Sequence, residues 1–305
     1  MSAPPVTRPS ASSEVHTRVW VGAIMALLAG GVLILDHCLE SWWQQRLYPF
    51  LLISTVLLIA LSTFELHTLA SALPRPPLGL CLLAALLVAL AGWPAAVGWL
   101  GSAAQPWRGT AWAFALVVLA GFSWEMLQFR QPGGAVARLG LLTWLTAYLG
   151  LLPAFFVQLR FWPEGAPPLS GVAAMTLVIF VPKCCDIGAF FTGRALGRTP
   201  MTPLLSPKKT WEGLMGGLVL AMIVAVGVQS WLAPVFGSLL EAAGFGVVVG
   251  GVSVLGDLAE SLIKRDCQKK DASHALPGFG GILDVVDSVL FAAPVAYWWL
   301  LGWRG

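Results

Sequence analysis

The chain is predicted to be an all-α polytopic integral membrane protein with about nine transmembrane helices, and three observations predict it. Of its 305 residues, 57% are hydrophobic and only 11% charged, far from the balance of a water-soluble domain. The apolar residues fall in runs of about 20, the length that crosses ~30 Å of hydrocarbon as a helix with its backbone polar groups paired internally. Trp42, Trp43, Trp99, Trp107, Trp162, Trp299 and Trp303 stand at the ends of these runs, as an interfacial belt should.

In chain order, residues 1–18 are polar and rich in Pro and Ser, and read as a disordered cytoplasmic tail. The apolar run that follows lacks a small-residue cleavage site, so it is expected to be retained as the first span. The nine spans fall at 19–36, 47–64, 78–101, 110–128, 138–158, 169–193, 213–233, 239–263 and 282–303. The third lies in a stretch, Pro76 to Trp107, without a single charge, and it contains Gly92, Trp93 and Pro94. That stretch reads either as one long kinked helix or as a span followed by a re-entrant piece.

Lys and Arg distribution gives an independent test of the count. With nine spans, Arg46, Arg108, Arg160 and Arg304 face one side, Lys183 lies within a span, and the other thirteen of the 18 basic residues share the side of the N-terminus. Positive charge is retained in the cytoplasm, which places the N-terminus and the loops after spans six and eight there, in a cell or inner membrane.

Spans before residue 183 read as nearly free of ionisable groups, Glu125 excepted, whereas later ones carry acids and bases. Residues 19–165 are therefore expected to be scaffold and 166–305 the catalytic part with its cytoplasmic loops. No repeat of fixed period appears. The net charge of +3 is modest, and the bases form no aromatic-interleaved patch, which argues against nucleic-acid binding. The five cysteines have no CxxC spacing and no His cluster, so they read as structural thiols rather than zinc ligands or disulfides.

The rare charge concentrates in residues 256–288, GDLAESLIKRDCQKKDASHALPGFGGILDVVDS. An ionisable group at membrane depth costs ~3 kcal/mol unless paired or solvated, so each is a candidate functional residue. Asp257, Glu260, Ser261 and Lys264 are spaced i, i+3, i+4, i+7 and share one helical face. Glu260 and Lys264 also read as an internally compensated pair, which leaves Asp257 without a partner. Asp284 and Asp287 share a face at the start of the last span, behind the turn-forming PGFGG. With Asp257 they make an oxygen-rich pocket suited to Mg²⁺; as plain acids at a helix N-terminus they need no metal. Ser206 to Gly213, SPKKTWEG, offers Lys208, Lys209 and backbone N–H groups to phosphate, although positive-inside loops contain such lysines anyway. Lys183 and Asp186 are either a neutralising pair or part of a site. His274 has no second His near it and reads as a loop residue.

With these residues in hand, the chain resembles the phosphatidate cytidylyltransferase (CDP-diacylglycerol synthase) family. The family signature SxxKR, four residues, KD, PGHGG and DRxD is matched by Ser261, Lys264, Arg265, Lys270, Asp271, PGFGG, Asp284 and Asp287. Upstream, DxxAxxxGR is matched by Asp186, Ala189, Gly193 and Arg194, and SPKKTWEG by residues 206–213. The likeness covers residues 180–300. Two positions depart: Phe279 stands where the family has His, and Val285 where it has Arg.

The resemblance implies transfer of a cytidylyl group from CTP to phosphatidate in the bilayer, with release of pyrophosphate. It implies Mg²⁺ on Asp257, Asp284 and Asp287, with Lys264 at the reacting phosphates. Ser206, Lys208, Lys209, Ser261, Arg265, Lys270, Asp271 and Asp186 would bind substrate. A homodimer is compatible with the sequence. The competing readings are a CTP-dependent polyprenol kinase and an ion-coupled transporter; a CDP-alcohol phosphotransferase is disfavoured because DGxxAR is missing.

Overall fold

Long apolar runs fold as helices here because lipid offers no partner to an exposed N–H or C=O. In the computed structural model, residues 11–43, 45–99, 105–161, 169–269, 272–273, 275–276 and 280–302 are described. Among them nine helices are long and apolar enough to cross a membrane. They are α1 (Ala11–Trp43), α2 (Pro49–Leu69), α3 (Leu78–Leu90), α4 (Pro106–Gln128), α5 (Ala135–Gln158), α6 (Ser170–Leu196), α7 (Trp211–Trp231), α8 (Leu239–Asp266) and α9 (Leu283–Tyr297). The protein is a multi-pass, all-α membrane protein, and the sequence-predicted spans lie on these helices in order.

The helix boundaries have local causes. α2 and α4 begin with Pro in the first turn, where a missing N–H costs nothing. Thr210 and Ser238 cap α7 and α8 by accepting from Gly213 N and Glu241 N, each at 3.1 Å. α1 begins at Ala11, so residues 11–18 of the expected tail continue the first helix. The described part of the uncharged stretch after Pro76 forms one helical span, Leu78–Ala96, that bends after Leu90. α3 stops at Leu90, and a short turn, Trp93–Ala96, follows. Gly92 permits this bend, since a Cβ there would lie 2.6 Å from Gln158 Nε2 and 3.0 Å from the Pro106 carbonyl oxygen. α5 carries a π-helical turn at Ala147–Leu151.

Two apolar cores hold the bundle. One joins α6, α7, α8 and α9 through Met175, Ala221, Phe245 and Ala293, and takes in Leu33, Leu51 and Val157 from the first half of the chain. The other joins α2, α3, α4 and α5 through Leu66, Val88, Val117 and Leu145, and takes in Leu283 and Leu290 of α9. Packing thus interleaves the expected scaffold and catalytic parts. α6 and α7 approach closely, with a Cβ at Gly217 calculated to fall 2.6 Å from the Cys185 carbonyl oxygen; small residues serve this purpose between membrane helices. Outward side chains such as Leu27, Leu83, Leu119, Ile223 and Leu240 are exposed, as lipid-facing positions should be.

The loops segregate to two ends. At one, Tyr48 Oη donates to Glu40 at 2.8 Å, Arg160 Nη2 donates to Glu40 at 2.9 Å, and the Arg160 guanidinium stacks 3.9 Å over the Tyr48 ring. Burial beside Glu40 pushes the Tyr48 phenol above its ordinary range, so it remains a donor. At the other end, Lys269 Nζ reaches the Thr68 carbonyl at 3.3 Å. That end also carries an antiparallel hairpin, β1 (Pro200–Thr202) and β2 (Ser206–Thr210), the only strands among the described residues. Glu212 fastens it by accepting from Arg198 N, Thr199 N and Thr199 Oγ1.

Candidate active site

Gly256 sets the geometry of the site. A Cβ there would meet the Asp287 carbonyl oxygen at 2.7 Å, so α8 and α9 pack tightly next to Asp257 and Asp287. Carboxylate oxygens of Asp257, Glu260 and Asp287 all lie within 4.8 Å of one another. Glu260 is 1% exposed and Asp287 2%. Like charges this close and this buried are unfavourable unless cations compensate them.

Lysines supply part of that compensation. Lys209 of β2 lies 2.6 Å from Asp257 Oδ2. Lys264, one turn beyond Glu260, donates to it at 2.7 Å and also donates to Asp284 across the helix interface. Lys183 of α6 donates to Ser288 Oγ at 2.7 Å and lies 3.6 Å from Asp186. In their charged forms, the carboxylates of Asp186, Asp257, Glu260, Asp284 and Asp287 exceed these three ammonium groups by two. The surplus equals the charge of one divalent cation. Glu260 Oε1 is buried and has no hydrogen-bond partner among the described residues.

The sequence-predicted residues are therefore brought together, with differences in detail. Asp257 and Asp287 meet Glu260, while Asp284 turns to Lys264 and accepts from Gly281 N at 2.7 Å. The compensated Glu260–Lys264 pair does form, and Asp257 finds its partner in Lys209. Along β2, Pro207 and Lys208 are exposed while Lys209 and Thr210 are half-buried, Lys209 turning to Asp257. Ser206 is half-buried at the start of β2, and Ser261 is buried on the inner face of α8. Arg265 is exposed, its Nη1 3.4 Å from the Lys269 carbonyl oxygen. Lys270, Asp271, His274 and Pro277 to Phe279 lie outside the described residues. The N–H groups expected to be free after SPKKT are engaged: Trp211 N donates to the Thr199 carbonyl at 3.1 Å, and Gly213 N donates to Thr210. Anchoring the hairpin to α7 consumes them.

Three participants escaped the sequence reading. Ser288, next to Asp287, receives Lys183. Glu65 of α2, a residue beyond the expected end of span two, reaches the loop before α9. Tyr148, in the π turn of α5, packs edge-on against Phe291 at 6.1 Å, and its buried hydroxyl has no partner among the described residues. A π turn that aims a polar group inward was the signal, and periodicity does not reveal it. The cysteines are free among the described residues, and burial pushes the Cys267 thiol up, in keeping with a structural role.

Fold and site together define a multi-pass membrane protein with a carboxylate–lysine centre at one end of its bundle. The model of the cytidylyltransferase family matches residues 16–301, and the chain belongs to that family. It is 37% identical over 175 residues to a phosphatidate cytidylyltransferase of Synechocystis, covering 50% of this chain and 59% of that relative. With a phosphatidate cytidylyltransferase of Pseudomonas aeruginosa it shares 39% over 175 residues, 56% of this chain and 60% of the relative. With the chloroplastic phosphatidate cytidylyltransferase 5 of Arabidopsis thaliana it shares 40% over 174 residues, 49% and 42% of the two chains. The matches thus span less than two thirds of each of these relatives.

Proposed function

We propose that the protein transfers the cytidylyl group of CTP to phosphatidate, giving CDP-diacylglycerol and pyrophosphate at the cytoplasmic face of a cell membrane. The observation that carries this reading is the convergence of Lys209, Asp257, Glu260, Lys264, Asp284 and Asp287 on one polar centre in a chain of this family. A phosphatidate phosphate oxygen forms a bond to the α-phosphorus of CTP as the bond to the oxygen bridging to the β-phosphate breaks. That electron pair departs with pyrophosphate. A phosphate monoester, with second pKa about 6, is already largely dianionic at neutral pH, so the nucleophile needs no strong base. Phe279 in place of an imidazole is compatible with that chemistry.

An ammonium group carries three donors. Lys264 commits donors to Glu260 and Asp284 and keeps one for a phosphate oxygen. Lys209 is drawn to Asp257, and Lys208 and Arg265 stand exposed beside the centre, where the triphosphate would approach. The donor set fits Mg²⁺: three carboxylates within 4.8 Å, one buried oxygen without a hydrogen-bond partner, and a surplus charge of two. Asp257, Glu260 and Asp287 would hold it. When bound, Mg²⁺ would supply neutralisation of the charge on the transferring and leaving phosphate oxygens.

The test is pyrophosphate release from CTP by the purified chain in detergent, with and without phosphatidate and Mg²⁺. Release that needs both supports the reading. CDP in place of pyrophosphate identifies a lipid kinase, and a folded preparation that releases neither overturns the assignment.

A further inference from the structure

We propose that Glu65 is a positioning residue for this centre: it caps α9 from a different helix and so fixes where Asp284 and Asp287 stand. The inference rests on the cytidylyltransferase reading for its link to turnover. α9 starts at Leu283 and Ile282 holds its cap position, yet neither side chain can accept a hydrogen bond from the free N–H groups of a first turn. The acceptor comes from α2. Glu65, 6% exposed, accepts from Ile282 N at 2.9 Å and Leu283 N at 2.8 Å. Its Oε1 also accepts from Ser273 Oγ at 2.6 Å, which ties the preceding loop to the same carboxylate. Gly281 makes room for this contact, since a Cβ there would fall 2.6 Å from Glu65 Oε2.

The next N–H in the series belongs to Gly281, and it is taken by Asp284 Oδ2 at 2.7 Å. Three consecutive amides, at 281, 282 and 283, are thus answered by carboxylates. This has two effects. Asp284 is oriented so that its other oxygen meets Lys264, which in turn holds Glu260. The amino end of α9, ordinarily a seat for anions, is already filled and does not compete for phosphate. Glu65 touches none of the clustered carboxylates itself; it acts through the start of α9.

The experiment uses the full chain in detergent and compares wild type, Glu65→Gln, Ser273→Ala and Gly281→Ala by hydrogen exchange and by Mg²⁺-dependent pyrophosphate release. Glu65→Gln should speed exchange of the amides at 282–287 about tenfold or more while α6 and α7 remain protected. It should also raise the Mg²⁺ concentration for half-maximal activity roughly tenfold, with KM for CTP changed less than kcat. Ser273→Ala, which removes one bond and leaves the fold intact, should move both readouts the same way by a smaller factor. Combining Glu65→Gln with Gly281→Ala should be no worse than the more severe single change, because both break one contact. Unchanged exchange at 282–287 in Glu65→Gln overturns the proposal, as does faster exchange throughout the bundle in Ser273→Ala. A wild type that releases no pyrophosphate sinks the activity assignment instead and leaves the exchange result to decide the role of Glu65.

Discussion

Lys209 and Asp257 stand 2.6 Å apart although one lies on a surface hairpin and the other inside a membrane helix. The pair fastens β2 over the carboxylate centre and places a cation at its entrance. The Lys209 ammonium is itself buried, so removing it leaves Asp257 without its counter-charge beside two further carboxylates. Lys209→Met should therefore melt below wild type and lose roughly 100-fold or more in pyrophosphate release, since it takes away a charge that would face developing phosphate oxygens. Lys208→Met, on the outward face of the same strand, should cost less and act mainly through KM. Equal losses in the two variants would refute the distinction.

Lys264 is the buried counter-ion of Glu260 and Asp284. Replacing it with Met leaves both carboxylates uncompensated, and breaking a buried pair in this way costs about 3–5 kcal/mol. Denaturation followed in micelles should show that loss. Changing Glu260 to Met in the same chain should recover a good part of the stability without recovering turnover.

Tyr148 offers a test in which stability and activity move apart. An unsatisfied buried hydroxyl costs about 1–3 kcal/mol, so Tyr148→Phe should be at least as stable as wild type. If the hydroxyl meets a phosphate or its bound water, turnover should fall about tenfold. Full activity in the Phe variant would remove Tyr148 from the site.

Two glycine replacements separate close packing from lipid contact. Gly217→Ala would drive a methyl group to 2.6 Å from the Cys185 carbonyl oxygen and should cost about 1–3 kcal/mol in a thermal melt. A Cβ at Gly30 meets nothing within 4 Å, and Gly30→Ala should be neutral or mildly stabilising.

The helices were legible because hydrocarbon leaves a chain so few options, and the acids and lysines because charge is conspicuous in so apolar a sequence. Spacing showed that Asp257, Glu260 and Lys264 share a face, but not which carboxylate Lys264 would capture on the neighbouring helix. The choice depends on Asp284 being turned by the Gly281 amide, a contact that spacing along the sequence does not encode. Glu65 was hidden for a related reason: its partners lie 217 and 218 residues away, and it sits where the apolar run ends and α2 does not. Asp36, whose carboxylate accepts from Phe50 N and Leu51 N at 3.0 and 2.7 Å, is another such cap in the half that looked like plain scaffold.

The π turn at Ala147–Leu151 has a bearing on how one span serves two neighbourhoods. Its i→i+5 bonding accommodates one residue more than an α turn, so the helix leaves it in a different rotational phase. Before it, Leu142 and Leu145 join the core of α2 to α5; after it, Val157 joins the core of the α6–α9 group, and Phe155 packs on Tyr297 as well as on Trp107 of α4. Tightening this turn to an unbroken α-helix with every residue kept would swing everything beyond it by about 100°. The span would still cross the bilayer, but its far half would present the wrong side to its partners.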